Sequence, residues 1–378
     1  MERKSRFMEN LVNFKSLFGG IYKGRKVLVT GHTGFKGSWM VKWLEMMGAE
    51  VFGYSLAPAT QPSHIDLIDV KMGDTKADLR DAETLKAYVQ KIQPEIVFHL
   101  AAQALVRPSY ADPVETFSTN IMGTLHVYEA CRATDSVRAI VNVTSDKCYE
   151  NKEWIWGYRE NDRMGGYDPY SASKGMSELL TSSYRNSFFN IKDYGNKHHI
   201  LLGSGRAGNV IGGGDWAIDR LVPDMMKAAN NGTSVLIRNP KATRPWQHVL
   251  EPVGGYLTLG WKLLEGKKEY ADGWNFGPEM GSNLSVGEIS LLAEKIWDAV
   301  VPEFSTNKSE HHEANLLMLD CSKANKIMKW KPVWPIDTTL QKTIGWYKDF
   351  YQNGNVNTQN DIMNYVDAAN KLDIEWAQ

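Results

Sequence analysis

Short apolar runs alternate with segments of helical periodicity between residues 26 and 200. The runs stay apolar at consecutive positions, which is typical of strands buried on both faces of a parallel sheet. The helical segments between them provide the crossovers that parallel strands need. The predicted strands are K-V-L-V-T (26–30), A-E-V-F-G-Y (49–54), E-I-V-F-H-L-A-A (95–102), R-A-I-V-N-V-T-S (138–145) and H-I-L-L-G-S (199–204). This pattern predicts an α/β protein with a doubly wound parallel sheet of the Rossmann type.

The alternation ends near residue 205, where Gly, Trp and Pro become frequent in segments such as N-V-I-G-G-G-D-W. A chain of 378 residues is long enough for two domains, since domains average roughly 150 residues. We predict an amphipathic N-terminal lead-in over residues 1–24, a dinucleotide-binding Rossmann domain over 25–204 and a smaller substrate-binding domain over 205–378. The prediction allows some segments of the last part to return to the first domain.

Charge and cysteine content narrow the class of partner. Lys plus Arg (43) nearly balances Asp plus Glu (44), so the chain lacks the basic field that holds nucleic acid. The three cysteines are scattered and show no metal-ligand spacing, so we expect no metal and a cytoplasmic location. The N-terminus lacks a signal-peptide core, and no run approaches the ~20 apolar residues of a membrane span. The expected ligand is a small molecule, with neither nucleic acid nor membrane as partner.

A glycine-rich loop joins the first predicted strand to the first predicted helix. The loop reads G-H-T-G-F-K-G and is followed by apolar residues at helical spacing. Gly31 suits the tight turn, Gly34 lets the backbone approach a pyrophosphate, and Gly37 lets the helix lie close to the strand. The loop residues predicted to hold a dinucleotide are Gly31, Thr33, Gly34, Phe35, Lys36 and Gly37. An ordinary glycine-rich turn is the alternative.

Residues at the ends of the next strands are predicted to hold the adenosine part of the cofactor. The second strand ends in G-Y-S-L, so Ser55 stands where an acid commonly binds the ribose hydroxyls. Because Ser55 carries no charge to repel a 2′-phosphate, this position alone leaves both NAD and NADP open. The other candidates are Asp78 and Leu79 after the third strand, and Leu100, Ala101 and Ala102, which close the fourth. A polar loop is the alternative for the first two, and tight helix packing for the last three.

A tyrosine and a lysine one helical turn apart predict a redox site. Tyr170 and Lys174, in Y-S-A-S-K, share one face of a helix. A phenol with a pKa near 10 is a poor base at pH 7, but a neighbouring ammonium and an oxidised nicotinamide ring both favour its phenolate. Tyr170 is therefore a candidate proton acceptor during alcohol oxidation, and Ser145 a candidate hydrogen-bonding partner of the same substrate oxygen. A surface Tyr/Lys pair is the alternative.

Four motifs together resemble the extended short-chain dehydrogenase/reductase family: the glycine loop, L-A-A, the strand-end T-S-D-K and Y-x-x-x-K. The resemblance covers the chain from about residue 25. Three longer stretches are similar to the CDP-glucose branch of the nucleotide-sugar 4,6-dehydratases: T-G-H-T-G-F-K-G-S-W, S-D-K-C-Y-E-N and W-G-Y-R-E-N-D-x-x-G-G-Y-D-P-Y-S-x-S-K. Nucleotide-sugar dehydratases more commonly carry Asp-Glu at the strand end. Asp146-Lys147 stands there in this chain, a departure shared with the CDP-glucose branch.

The resemblance implies an internal redox cycle on CDP-D-glucose, a hydro-lyase reaction of deoxysugar and surface polysaccharide biosynthesis with NAD as cofactor. Hydride leaves the sugar's 4-position, water is eliminated across the 5- and 6-positions, and hydride returns to the 6-position. Asp146 is implied as the acid for the departing 6-hydroxyl and Lys147 as the base for the 5-proton. A lysine needs burial or nearby cations to act as a base at neutral pH; otherwise Lys147 stays protonated and stabilises the enolate. A solvated salt bridge is the alternative for this pair.

The resemblance also points to residues for the nucleotide end of the substrate. Asn209 is expected to hydrogen-bond the diphosphate, and Arg220 and Arg244 to neutralise it. A surface salt bridge is an equal alternative for Arg220. Trp216 and Trp246 are candidates for stacking on the base, and packing in the core is the alternative, since most of the 13 tryptophans must simply pack. A homo-oligomer, a dimer or tetramer formed through helices, is a further implication.

Two other functions stay open on the sequence. A nucleotide-sugar epimerase or reductase of the same family needs Tyr170 and Lys174 but no acid and base at positions 146 and 147. A non-catalytic dinucleotide-sensing scaffold needs none of these side chains, and the intact set argues against it.

Overall fold

The computed structural model describes residues 13–279, 283–305 and 316–378. Its strands are β1 (Lys26–Thr30), β2 (Glu50–Ser55), β3 (Gly73–Lys76), β4 (Ile96–His99), β5 (Ala139–Val143), β6 (Leu201–Ala207), β7 (Val210–Ile211), β8 (Val235–Ile237), β9 (Thr243–Pro245), β10 (Gln247–His248), β11 (Gly273–Phe276), β12 (Asn283–Ser285) and β13 (Pro302–Phe304). Its α-helices are α1 (Phe35–Met46), α2 (His64–Leu67), α3 (Ala82–Ile92), α4 (Val106–Ala111), α5 (Pro113–Phe117), α6 (Gly123–Arg132), α7 (Pro169–Ser187), α8 (Leu221–Asn230), α9 (Leu250–Leu264), α10 (Val286–Ile296), α11 (Ile336–Asn353) and α12 (Thr358–Lys371).

Seven parallel strands form the central sheet in the order β11-β6-β5-β4-β1-β2-β3. The order reverses at β1, which has β4 on one side and β2 on the other. In open α/β sheets, ligands bind outside the carboxyl ends of the strands at such a reversal. The short pairs β7/β10, β9/β12 and β8/β13 lie outside this sheet. The predicted fold class, an α/β protein with a doubly wound Rossmann-type sheet, is confirmed.

Helices cover both faces of the sheet, as continuously apolar parallel strands require. On one face lies α9, in which every residue from Leu250 to Leu263 is buried. On the other face, α3, α6 and α7 pack through Val89, Tyr128 and Tyr184 against the strands. No helix among the residues that the structure describes is long and apolar enough to cross a membrane.

Two predicted boundaries are wrong. The run 95–102 was expected to be strand throughout, but β4 ends at His99. The chain leaves the sheet there and passes beneath the glycine loop, where a Cβ atom on Gly31 would lie 2.6 Å from the Ala101 nitrogen. The expected domain boundary at residue 204 falls inside β6, which continues to Ala207 because β11 pairs beside it.

The segment expected to be an N-terminal lead-in is partly core. Residues 1–12 lie outside the described residues, but Leu17, Phe18 and Tyr22 are buried. The Phe18 ring stacks on Trp376 with centroids 5.1 Å apart, and the Tyr22 hydroxyl donates to the Leu257 carbonyl. Residues 13–24 therefore contact both the segment around Trp376 and helix α9, and connect the two.

Candidate active site

A cleft of about 1370 Å³ opens at the carboxyl ends of the central strands. All the residues predicted for catalysis, for the cofactor and for the substrate diphosphate line it, which brings together positions 31 to 244. Those residues are Gly31, Thr33, Gly34, Phe35, Lys36, Gly37, Ser55, Asp78, Leu79, Leu100, Ala101, Ala102, Ser145, Asp146, Lys147, Tyr170, Lys174, Asn209, Arg220 and Arg244. Their individual roles stay predictions.

The glycine loop has the shape that a dinucleotide diphosphate needs. Gly31 has φ +75°, a conformation that side chains rarely adopt. A Cβ atom on Gly37 would lie 2.1 Å from the Gly31 carbonyl oxygen, so this position must be glycine for the loop to pack. A Cβ atom on Gly34, in contrast, would meet only the Gly31 carbonyl oxygen, at 3.4 Å. Gly34 caps α1 without a side chain, so the helix N-terminus and its free N–H groups face the cleft.

The neighbouring strand ends form a polar rim suited to the adenosine. The hydroxyls of Thr33 and Ser55 lie 2.7 Å apart, and Thr33 also donates to the Leu56 carbonyl. Asp78 follows β3 and accepts three hydrogen bonds from the Arg80 side chain, which lower the pKa of its carboxyl. Asp78 is therefore charged at neutral pH and already engaged by Arg80, which the sequence did not indicate.

A short 3₁₀ turn, Asp146–Cys148, follows β5, and together with its N-cap residue Ser145 it presents three candidate catalytic side chains. The Ser145 hydroxyl donates to Asp146 Oδ1 at 2.9 Å and accepts from the Lys147 backbone N–H at 3.3 Å. Asp146 is 2% exposed, whereas Lys147 is only partly buried. The Ser145 hydroxyl thus fixes the turn that orients the side chains of Asp146 and Lys147.

Helix α7 presents the tyrosine and the lysine. The helix begins after Asp168, whose carboxyl accepts from the Ser171 backbone N–H, and Pro169 occupies its first position. Tyr170 and Lys174 are both buried. Burial raises the pKa of Tyr170 to about 12. A hydrogen bond with Ser145 and the nearby charge of Arg220 lower this pKa but do not offset the burial. Burial also lowers the pKa of Lys174 to about 8, while Glu178 acts in the opposite direction.

Lys36 has a setting that its place in the glycine loop does not reveal. Burial, with Arg220 and Lys174 nearby, lowers the pKa of Lys36 to about 7, and Asp146 acts in the opposite direction. Lys36, Lys174, Arg220 and Asp146 therefore lie close enough to one another for their charges to interact. Arg220 donates to Asp215 Oδ2 at 2.7 Å, so an ion pair holds it at the cleft wall.

The two tryptophans proposed for base stacking have different settings. Trp246 borders the cleft, and its indole N–H donates to the Leu284 carbonyl. Trp216 does not line the cleft; its ring packs against Trp346 and Phe350, and its N–H donates to the Tyr351 hydroxyl. The prediction that Trp216 stacks on the base is therefore wrong, because its ring packs against helix α11 instead.

A Rossmann-type sheet with a glycine loop after β1, and a Tyr-x-x-x-Lys helix beside a strand-end serine, defines a short-chain dehydrogenase/reductase of the extended type. The family model described as GDP-mannose 4,6 dehydratase matches residues 28–343. CDP-glucose 4,6-dehydratase of Salmonella typhimurium is 46% identical over 354 residues, which cover 93% of this chain and 98% of that protein. The chain therefore belongs to the nucleotide-sugar 4,6-dehydratase family, as predicted.

Solved structures with the same fold are more distant in sequence. The epimerase Mth375 of Methanothermobacter thermautotrophicus matches with a TM-score of 0.77 and 22% identity, covering 92% of this chain and 97% of that one. The UDP-glucose 4-epimerase of Thermotoga maritima, solved with UDP-glucose, matches with a TM-score of 0.74 and 21% identity, covering 86% and 100%. At these identities the likeness is one of fold.

Proposed function

We propose that this protein is a hydro-lyase that converts CDP-D-glucose to CDP-4-keto-6-deoxy-D-glucose and water, with NAD as cofactor. The observation that carries the proposal is the convergence of two chemical units in one cleft. Tyr170 and Lys174 suit alcohol oxidation, and Asp146 and Lys147 suit elimination. The 46% identical relative named CDP-glucose 4,6-dehydratase supports CDP-glucose as the substrate.

The cofactor fits the arm of the cleft between the glycine loop and the ends of β2 to β4. The Gly31–Gly37 loop and the N-terminus of α1 would hold its diphosphate, and Ser55 with Asp78 its adenosine. When bound, NAD would supply the acceptor for the hydride of the sugar's 4-position and the donor of that hydride to the 6-position. Its positive nicotinamide ring also favours the Tyr170 phenolate.

The protein's own groups move the protons. Tyr170 takes the proton of the 4-hydroxyl, and Ser145 hydrogen-bonds the same oxygen as it becomes a ketone. The ketone makes the 5-proton acidic. Lys147 either removes this proton or assists its removal by stabilising the enolate. Asp146 protonates the departing 6-hydroxyl, and water leaves. As hydride adds at the 6-position, the group that took the 5-proton returns it to the 5-position, and the proton that Tyr170 accepted balances the one that Asp146 gave up.

The remaining arm of the cleft suits the nucleotide. Arg220 and Arg244 supply positive charge and Asn209 a hydrogen bond for the diphosphate. The cleft lining also includes Leu221 and Val235, apolar side chains that suit a contact with the base.

A homo-oligomer, dimer or tetramer, is part of the proposal, as is a cytoplasmic location. Met122, Met176 and Leu179 expose 44–59% of their surface on neighbouring helices, which suits a helical subunit contact. The three cysteines are free, in keeping with a reducing compartment. Light scattering of the purified protein measures the subunit number.

The test of function is a substrate panel. Purified protein is incubated with NAD and with CDP-, UDP-, dTDP- or GDP-glucose, and the product is examined for a 4-keto-6-deoxy sugar by NMR. We expect this product from CDP-glucose. A 4-epimer, or no reaction with any of the sugars, would refute the dehydratase assignment.

Gly34→Val should fold but bind NAD weakly. The structure leaves space for a side chain at Gly34, so the added isopropyl group projects into the site expected for the diphosphate. Isothermal titration with NAD measures the affinity, and the melting temperature reports folding. Unchanged affinity in the folded variant would remove the glycine loop from the cofactor site.

Gly208→Ala should slow elimination with little loss of stability. The new Cβ atom would lie 2.9 Å from Asp146 Oδ2 and 3.2 Å from Pro245 Cγ, so the Asp146 carboxyl group must move and Pro245 must shift by a few tenths of an ångström. Displacing the acid should lower the rate of product formation while sugar oxidation persists. The measurement compares the rate of 6-deoxy product with the absorbance of reduced cofactor; wild-type rates of both would show that the position of Asp146 is unimportant.

A further inference from the structure

The three catalytic side chains of the β5 end sit in a short segment that is held from both sides. We call Ser145–Cys148 the catalytic turn; Thr144 precedes it and Tyr149 follows it. Glu178 and Arg206 form a salt bridge with Nη2 and Oε2 2.8 Å apart, and their side chains are 1% and 4% exposed. Neither residue lines the cleft.

Each member of this buried pair holds one end of the catalytic turn. The Thr144 hydroxyl donates to Glu178 Oε1. At the other end, Arg206 Nη1 donates to the Tyr149 hydroxyl at 2.7 Å. The Tyr149 hydroxyl in turn donates to Asn275 Oδ1 on β11, also at 2.7 Å. The turn is therefore fixed at its entry by the carboxylate and at its exit by the guanidinium.

The same pair also fixes the turn relative to helix α7. Glu178 lies one turn beyond Lys174 and two turns beyond Tyr170 on the same helical face. Arg206 lies on β6, next to β5 in the sheet. The pair thus connects the helix that carries the oxidation residues to the strands that carry the elimination residues.

We propose that Glu178 and Arg206 are positioning residues that hold the Ser145–Asp146–Lys147 segment in register with Tyr170 and Lys174. A buried ion pair is weak evidence for stability, because hydrophobic side chains of similar size often replace it without loss. The hydrogen bonds of this ion pair to Thr144 and Tyr149, at the two ends of the catalytic turn, indicate that the pair positions the turn. Burial alone would raise the pKa of Glu178, but Arg206 holds it below its ordinary value, so the carboxylate keeps its charge and accepts these bonds.

A matched pair of variants separates positioning from stability. Thr144→Val removes the hydroxyl that holds the turn, and Ser204→Ala removes a hydroxyl that donates to Glu178 Oε2 at 2.9 Å from β6. Both hydroxyls are buried donors to the same carboxylate, but only Thr144 adjoins the catalytic turn. Both variants should lower the melting temperature.

Only Thr144→Val should impair the reaction, and the catalytic meaning of this result rests on the proposed function. We expect kcat to fall by about 10- to 100-fold, since small misplacements of catalytic groups have such effects. The KM for CDP-glucose should stay close to that of the wild type, and Ser204→Ala should keep near wild-type kcat. Equal kcat in the two variants would overturn the proposal.

Hydrogen exchange supplies a readout that does not depend on the substrate. Amides of residues 145–149 should exchange faster in Thr144→Val and in Tyr149→Phe than in Ser204→Ala. If wild-type protein makes no product from CDP-glucose, the proposed function fails and exchange alone decides the positioning role. Equal exchange at residues 145–149 in all three variants would refute the positioning role. If Thr144→Val does not fold, the comparison of Tyr149→Phe with Ser204→Ala tests the positioning role instead.

Discussion

Replacing Tyr170 with phenylalanine should lower the rate of sugar oxidation by roughly 10²- to 10⁴-fold, the usual contribution of a positioned acid or base. Only the phenolic oxygen is lost, so CDP-glucose should bind about as well as before. Oxidation is measured as the absorbance of reduced nicotinamide in a single turnover, and binding by titration calorimetry. The buried setting of Tyr170 makes the effect large, because no solvent water can easily replace the missing base.

Tyr184 offers a matched control on the same helix. Its hydroxyl donates to Glu129 Oε1 at 2.7 Å and lies away from the cleft. Tyr184→Phe makes the same chemical change in α7, and it should oxidise the sugar at the wild-type rate. If Tyr170→Phe did so too, the phenol would have no part in the reaction.

Disabling the acid or the base at the end of β5 should separate oxidation from elimination. In Asp146→Asn the side chain keeps its shape but cannot protonate the 6-hydroxyl, so product should form roughly 10²- to 10⁴-fold more slowly. In Lys147→Met the stem is kept, but neither a base nor a stabilising charge is present. Both variants should still oxidise the sugar and accumulate reduced cofactor.

Isotopes distinguish the two possible tasks of Lys147. With substrate deuterated at the 4-position, both variants should transfer little deuterium to the 6-position. In D₂O, loss of solvent exchange at the 5-position in Lys147→Met would identify the lysine as the base, whereas persistent exchange would leave it the enolate-stabilising charge. Near wild-type product formation in both Asp146→Asn and Lys147→Met would make the pair structural and withdraw the chemical basis for a dehydratase.

Local signals predicted residues that the fold brings together in one cleft, because they follow parallel strands whose carboxyl ends meet at one edge. The glycine loop after β1, Ser145 after β5 and Tyr170 on the next helix each have a short-range pattern, and the sheet brings them together. The family was also predicted from these motifs and is confirmed.

What the sequence did not indicate depends on contacts between distant segments. The setting of Lys36 arises from its burial and from the charges of Arg220 and Lys174, which lie more than a hundred residues away along the chain. Glu178 and Arg206 read as ordinary charges until the fold buries them against each other. The end of β4 and the packing of Trp216 were likewise decided by tertiary neighbours, the glycine loop and helix α11.

The position of β11 has a consequence for how this protein can be made. Gly273–Phe276 pair with Ser204–Ala207, so the sheet acquires its last strand only after more than two-thirds of the chain has left the ribosome. Until then the nascent β6 presents an unpaired edge, the kind of surface on which strands of other molecules add. A shortened protein that stops at residue 204 would cut β6 and keep that edge permanently. Expression of the nucleotide-binding half alone is thus expected to yield aggregate, and any smaller version of the enzyme must retain the chain through Phe276.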